Sequence, residues 1–344
     1  MIKEQKNNIQ WESLGFDVIE TKSMFRAFYS RNGEWDNGKL IPYGPIKLSP
    51  AAGVLNYGQG VFEGMKALTS KKGNVVLFRP YMNAKRFANS SRRLCIPEVD
   101  ESFFIQGVVA TVKDNIDYLP PLGEGSLYIR PIVWGTEPVL GVQPVSEYTF
   151  MIFVSPVGPY FRGGVKPLSL IVTSDYHRAA PKGIGNAKAI GNYSASLYPL
   201  MEAKNKGYDE VIYLDAKYDN QIEEVGSANV FIIKDNVLKT PNLDGSILPG
   251  VTRDSIIITA KKILDLDVLE TKLTIDEVLD ADEVFCTGTA VVVTPVGKIT
   301  HKGKEVVIGE GKIGPFTKTL RTTLIKIQLQ EIEDPFEWVM ELDV

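Results

Sequence analysis

Cysteine and histidine are both scarce in this sequence, with two of each in 344 residues. Cys95 and Cys286 form no CxxC pair, and with His177 and His301 they cannot build a closed Cys/His zinc site. A disulfide scaffold and a metal centre are therefore not expected. No G-x-S-x-G elbow is present, which removes the hydrolase triad built on that turn. The apolar runs fall well short of the ~20 residues that cross a bilayer, and the opening MIKEQKNNIQ lacks the apolar core of a signal peptide. The expectation is a cytoplasmic chain without a membrane partner. The net charge is -4 with no polybasic tail, so nucleic acid is not an expected partner either. Internal repeats and low-complexity tracts are also missing.

What is present is an ordinary globular composition, 44% apolar and 23% charged, which excludes wholesale disorder. The length exceeds what one core normally serves, so two domains are expected. Strand-like and helix-like segments alternate. Asn74–Pro80, Ser126–Trp134 and Tyr148–Val157 are β-rich, and SFFIQGVVATVKDNIDYL between them repeats apolar residues at helical spacing. The stretch SPVGPYFRGGVKP then concentrates prolines and glycines as a linker does. This places a first α/β domain over 1–154, an interdomain loop over 155–167 and a second domain over 168–344. In the second domain LSLIVTS, DEVIYLD and NVFIIKDNVLKTP read as strands, the last as a hairpin turning at Asp235-Asn236. A long closing helix follows from Pro315.

Four pieces of this second half carry polar residues that a core does not need. GNAKAIGNY sets Lys188 in a glycine-studded loop that is neither a dinucleotide fingerprint nor a P-loop. A lysine taken at random is a solvated surface charge. EEVGSANVFII puts Glu224 just before an apolar strand, beside Gly226, where backbone can approach a ligand; the plainer alternative is a charge at a strand entry. ILPGVTRDSIIITA opens a helix at Gly250-Val251-Thr252, with Thr252 as a candidate N-cap and Asp254 in the first turn. Capping would explain the threonine, yet the free amides of that terminus also make an anion site. EVFCTGTAVVVTPVG adds Thr287-Gly288-Thr289 after another strand. An amine that forms a Schiff base, a carboxylate for a pyridine nitrogen and two anion loops are what a pyridoxal phosphate site requires.

In order along the chain, LNYGQGVFEGMKA, FRPYMNAKRF, LYIRP, GNAKAIGNYSASL, EEVGSANVF, LPGVTRDSI and GTAVVVTPVG resemble the motif set of the branched-chain amino acid aminotransferases. The resemblance covers nearly the whole chain and implies a two-domain, fold-type IV α/β (α+β) architecture. In it a smaller N-terminal α/β domain and a larger C-terminal domain hold pyridoxal 5'-phosphate between them. It implies that Lys188 is the Schiff-base lysine, that Tyr193 bonds the cofactor's phenolic oxygen, and that Glu224 pairs with the pyridine nitrogen. Arg86, Val251, Thr252 and Thr289 would hold the phosphate, with Ser227 standing where the family often has threonine. Phe16, Tyr57, Phe62, Gly64, Tyr128, Arg130, Tyr160, Thr289 and Ala290 would line the substrate pocket. The implied reaction moves an amino group between leucine, isoleucine or valine and 2-oxoglutarate, in a homodimer.

Without the resemblance, Tyr57 and Phe62 read as core packing, and Arg86 reads as one charge of a basic helix face. Arg130 lies in an otherwise apolar strand, and a buried arginine usually needs a partner. The chain lacks the CxxC that some mammalian members carry in the GTAVVVTPVG region, so thiol control of that kind is not expected. D-amino acid aminotransferases and aminodeoxychorismate lyases share the lysine and the glutamate, but generally lack a match to FEGMKA with LYIRP. A silent phosphate-binding protein that keeps the loops as an anion cradle is the alternative from outside the enzymes.

Overall fold

The computed structural model describes residues 9–159 and 164–344. The chain divides into two compact units. One is Met1–Arg162 with Ala187–Ile190 and Lys326–Val344; the other is Gly163–Asn186 with Gly191–Ile325. Two later segments, Ala187–Ile190 and Lys326–Val344, group with the first unit.

In chain order the first unit contains β1 (Ser23–Tyr29), β2 (Lys39–Pro42), α1 (Gly53–Tyr57), β3 (Gly60–Phe62), β4 (Met65–Thr69) and β5 (Val75–Phe78). Next come α2 (Pro80–Arg93), α3 (Glu101–Asp114), β6 (Ser126–Gly135) and β7 (Tyr148–Val157). Asp100 starts α3 by accepting from the amides of Ser102 and Phe103, at 2.8 and 3.3 Å, which satisfies two donors that no helical carbonyl can reach. The helix buries Phe104, Ile105, Val108 and Val112, the residues whose spacing marked it in sequence. Phe150 of β7 is fully buried and packs against Phe25, Phe87, Phe103 and Phe104, with ring centroids 5.5–6.3 Å away.

The second unit contains β8 (Leu168–Val172), α4 (Ile190–Ser194), α5 (Leu197–Asn205), β9 (Glu210–Leu214), β10 (Ile222–Val225), β11 (Asn229–Lys234) and β12 (Val237–Pro241). It continues with α6 (Val251–Lys262), β13 (Val268–Thr271), α7 (Ile275–Leu279), β14 (Glu283–Gly288), β15 (Val292–His301) and β16 (Lys304–Val307). Its strands run β10-β9-β8-β15-β14-β11-β12-β13, with β16 beside β15. The β11–β12 hairpin turns at Asp235 and Asn236, both at positive φ (51° and 65°), the backbone that a two-residue hairpin demands. Phe231 and Phe285 lie opposite each other on β11 and β14 and stack at 5.1 Å.

Pro315 opens α8 (Pro315–Gln328) as expected, but this helix does not close the chain. The chain goes on to β17 (Val339–Leu342), which pairs antiparallel with β5 and ends a first-unit sheet ordered β17-β5-β4-β6-β7-β1-β2, with β3 on β6. The stretch after the helix has too little periodicity to mark a strand; pairing with β5 is what extends it.

Candidate active site

The lysine belongs to the first unit. Its segment forms a bridge to β3, with Ala189 opposite Val61. The Lys188 amide donates to Ser90 Oγ at 2.9 Å and its carbonyl accepts from the Phe62 amide at 3.1 Å. Ala187 and Ala189 are buried, 4% and 1% exposed, so alternation turns the intervening Lys188 to the other side. Its Nζ lies 4.8 Å from the centroid of the Phe62 ring.

Arg86 projects from α2 and is buried, and its fork is engaged. Nε and Nη2 donate to the two oxygens of Glu63 at 2.7 and 2.8 Å, and Asn83, one turn earlier on α2, donates to the same carboxylate at 2.8 Å. Glu63 is completely buried. Burial alone would push its carboxyl up; Arg86, followed by Lys188 and Asn83, holds it below the usual carboxylate range. Sequence reading passed over Glu63. Its signal was a charge wedged between Phe62 and Gly64 at the end of an apolar strand.

Tyr128 and Arg130 occupy the half-buried face of β6, alternating with buried Leu127 and Ile129. The Arg130 guanidinium carbon stands 4.7 Å from the Phe62 ring centroid and 5.3 Å from that of Tyr128. Its Nη2 donates to the Tyr128 hydroxyl at 3.3 Å, whereas its buried Nε has no acceptor among the described residues. Phe16 is half exposed and packs edge-on against Tyr128 at 5.4 Å. A Cβ at Gly64 would strike the Tyr128 hydroxyl, so glycine is what allows that ring its place. Tyr57 is not core: it ends α1, is exposed, and donates to the Leu140 carbonyl. Tyr160 lies outside the described residues.

The second unit carries the glutamate. Glu224 lies within β10, 2% exposed, and is neither ahead of a strand nor on the surface. Tertiary packing of the short β10 strand overrides the reading of a solvated entry charge. Arg178 Nη2 is 2.7 Å from one carboxylate oxygen and Asn229 Nδ2 donates to the other at 2.8 Å. Gly226 is at positive φ (55°), but the space beside its Cα is taken by the Glu210 side chain, the reason glycine is required there.

Asn229 also reaches the start of α6. It donates to the Leu248 carbonyl at 2.9 Å, and its Oδ1 sits where a Cβ on Gly250 would fall. The N-cap of α6 is Gly250, with no side-chain cap, and Thr252 is the second helical residue, in place of the expected N-cap. Thr287, opposite Asn229 on β14, is buried with a hydroxyl that has no partner among the described residues. Thr289 and Ala290 follow in the half-buried turn before β15, Tyr193 is half-buried on α4, and Ser227 is exposed in the turn between β10 and β11. Arg178 and Asn229 were missed in sequence, because nothing local marks YHRAAP or the asparagine that begins β11 as reaching Glu224. Among the described residues no cluster of metal-ligating side chains occurs, and no helix is long and apolar enough to cross a membrane.

Within the second unit a buried, ion-paired carboxylate is tied through one asparagine to a helix terminus that no side chain caps, and the first unit by itself fixes a lysine at both its backbone groups; these are residue types that a phosphorylated pyridine cofactor uses. Residues 60–299 match the family model described as amino-transferase class IV, the class that this fold and these residues define. Branched-chain-amino-acid aminotransferase 3, chloroplastic, from Arabidopsis thaliana is 50% identical over 336 residues, covering 97% of this chain and 81% of that protein. Branched-chain-amino-acid transaminase 1 of Bacillus subtilis (strain 168) is 43% identical, with 96% and 94% covered. The solved branched-chain amino acid aminotransferase of Escherichia coli superposes with a TM-score of 0.82 at 31% identity, covering 94% of this chain and 100% of that one. The chain belongs to the class IV amino-transferases, and within them to the branched-chain amino acid aminotransferase family.

Proposed function

We propose that this chain transfers the amino group reversibly between leucine, isoleucine or valine and 2-oxoglutarate, with pyridoxal 5'-phosphate as its cofactor. The observation that carries the reading is Glu224: a buried carboxylate, already paired, held in one network with the open N-terminus of α6. That arrangement suits a ring nitrogen at one end and a phosphate at the other. When bound, the cofactor supplies an aldehyde that takes the amino group and a ring that accepts electrons from the reacting carbon.

The residues have distinct tasks in this reading. Lys188 holds the cofactor through its amine and moves the α-proton. Tyr193 donates to the phenolic oxygen. Glu224 keeps a proton on the ring nitrogen. The Val251 and Thr252 amides, the Thr252 and Thr289 hydroxyls and Arg86 seat the phosphate, and Ser227 and Ala290 flank these turns. Phe16, Tyr57, Phe62, Gly64 and Tyr128 enclose the aliphatic side chain. Arg130, with its unanswered Nε, takes the distal carboxylate of glutamate.

We further propose a cytoplasmic homodimer. The exposed apolar side chains of Leu140 and Val142, 88% and 86% exposed, and of Leu197, Tyr198 and Met201 on α5 are surface that a second copy would cover. Light scattering gives the mass, and cell fractionation the compartment. For the activity, the purified protein is expected to show an absorbance band at the edge of the visible that hydroxylamine removes, and to accept the three branched donors with 2-oxoglutarate in a steady-state panel. A colourless protein with no transfer in that panel would show an anion-binding module instead.

A further inference from the structure

Arg178 lies in the segment between β8 and α4, 8% exposed at its side chain, and was not part of the expected site. It meets Glu224 at 2.7 Å, donates to the Ser246 carbonyl and reaches the Gly185 carbonyl at 3.5 Å. A local irregularity brings two acids to this one cation. Ile222 pairs with Leu214 and Glu224 with Tyr213, so Glu223 is an extra residue in β10, a bulge. Glu223 is 3% exposed, with one carboxylate oxygen that has no partner among the described residues. Burial pushes its carboxyl up, while a Ser246 hydrogen bond and the Arg178 charge oppose that rise.

We propose that Arg178 is a positioning residue: its guanidinium, braced on the Ser246 carbonyl, aims the Glu224 carboxylate and keeps it charged for its work on the ring nitrogen. This rests on the role given above to Glu224. Other groups near this pair, among the described residues of the unit, are acids, a phenol and a neutral amide. On β10 there is Glu223; on β9 there are Tyr213, whose hydroxyl burial pushes up to about 12, and Glu210, also pushed up by burial; on β11 there is neutral Asn229; the nearby loops add Asp215 and Asp244. Removing Arg178 takes away a buried cation 2.7 Å from the Glu224 carboxylate, which weakens the charged form relative to the wild type.

The test uses Arg178→Met, Glu224→Gln and the double variant. In cofactor-free protein, an acid whose folded pKa has risen binds more protons folded than unfolded, so its stability contribution falls as pH rises. The melting-temperature gap between wild type and Arg178→Met is therefore expected to widen from pH 5 to pH 8, and the gap between Glu224→Gln and the double variant to widen much less, since only Glu223 still answers to the lost charge there; equal widening in both pairs would assign the effect to Glu223 and overturn the proposal. With cofactor, Arg178→Met should lose roughly 100-fold in turnover near pH 7 and recover part of it toward pH 9, with Arg178→Lys restoring most of the activity. A gap that is flat with pH, or a loss of turnover independent of pH, overturns the proposal. If Arg178→Met does not fold, the double variant decides: recovery of folding supports an uncompensated Glu224 charge, and equal failure rejects it. If the stability pattern holds but Glu224→Gln turns over like wild type, the pair is real and the cofactor role of Glu224 is what fails.

Discussion

Lys188 and Arg130 share the Phe62 ring, yet they answer to different chemistry. Replacing Lys188 with alanine removes the amine and is expected to abolish both the hydroxylamine-sensitive band and nearly all turnover, as absorbance and steady-state rates would show. Wild-type rates in that variant would place the reaction elsewhere. Arg130 has aromatic rings for support and a buried Nε without an acceptor among the described residues, and the role proposed for it is to meet a second carboxylate when glutamate is bound and to rest on Tyr128 when leucine is bound. Arg130→Met is expected to cost the glutamate half-reaction about 2–4 kcal/mol of transition-state stabilisation and the leucine half-reaction much less. Single-turnover rates for each half-reaction check it: an equal loss in both would make Arg130 a structural residue. Arg86 shows where residue-level reading stops. The basic helix face gave no sign of its burial, and Glu63, the residue that orients it, stands more than twenty positions away and is silent until α2 lies beside β3.

Among the elements, the β9–β10 connection bears most directly on Glu224, since it sets where β10 begins. Asp215 organises it by accepting from the backbone amides of Lys217, Tyr218, Asn220 and Gln221 at 2.7–3.2 Å. Burial pushes the Asp215 carboxyl up, but these four amides hold it below the usual range. Such a group stabilises the fold above the ordinary carboxylate pKa, and that stability is lost as pH falls through the folded value. Asp215→Asn is expected to cost about 1–2 kcal/mol near neutral pH, a loss that shrinks below about pH 4 as the wild-type group protonates. Thermal melts of the two proteins across pH 3–8 would reveal a gap that fails to close, and with it a different origin for the effect. The hairpin at Asp235-Asn236, the helical spacing of α3 and the proline-led α8 were all legible in advance, because each is specified by residues close in sequence. Helix α6 was misread by two positions, since glycine and threonine both serve as N-caps and only the observed backbone separates them.

On the scale of the whole chain, the least expected feature is the return of the C-terminus to the first unit. Trp338 is 7% exposed against Phe78 at 5.6 Å and Phe336 at 4.5 Å, its carbonyl accepts from the Arg79 amide at 2.7 Å, and Leu342 enters the core. Ending the chain after Gln328 would uncover the edge of β5 and these apolar contacts, and the truncated protein is expected to aggregate. The milder Trp338→Ala should remain soluble and lose about 3 kcal/mol or more, measurable by denaturant unfolding. Unchanged stability in that variant would show that the strand is an appendage. By itself the sequence determined the alternation of strands and helices, the hairpin turn, the order of the seven motifs and hence the family, because periodicity, turn chemistry and motif spacing act over a few residues. Only the tertiary structure decided that Lys188 is fastened to β3 through Ser90 and Phe62, that Glu63 holds Arg86, that Arg178 and Asn229 hold Glu224, and that the last strand closes the first sheet. Each of these joins groups far apart along the chain, and a buried charge or an open strand edge takes its partner from whatever the fold brings within about 3 Å, for which no local pattern exists.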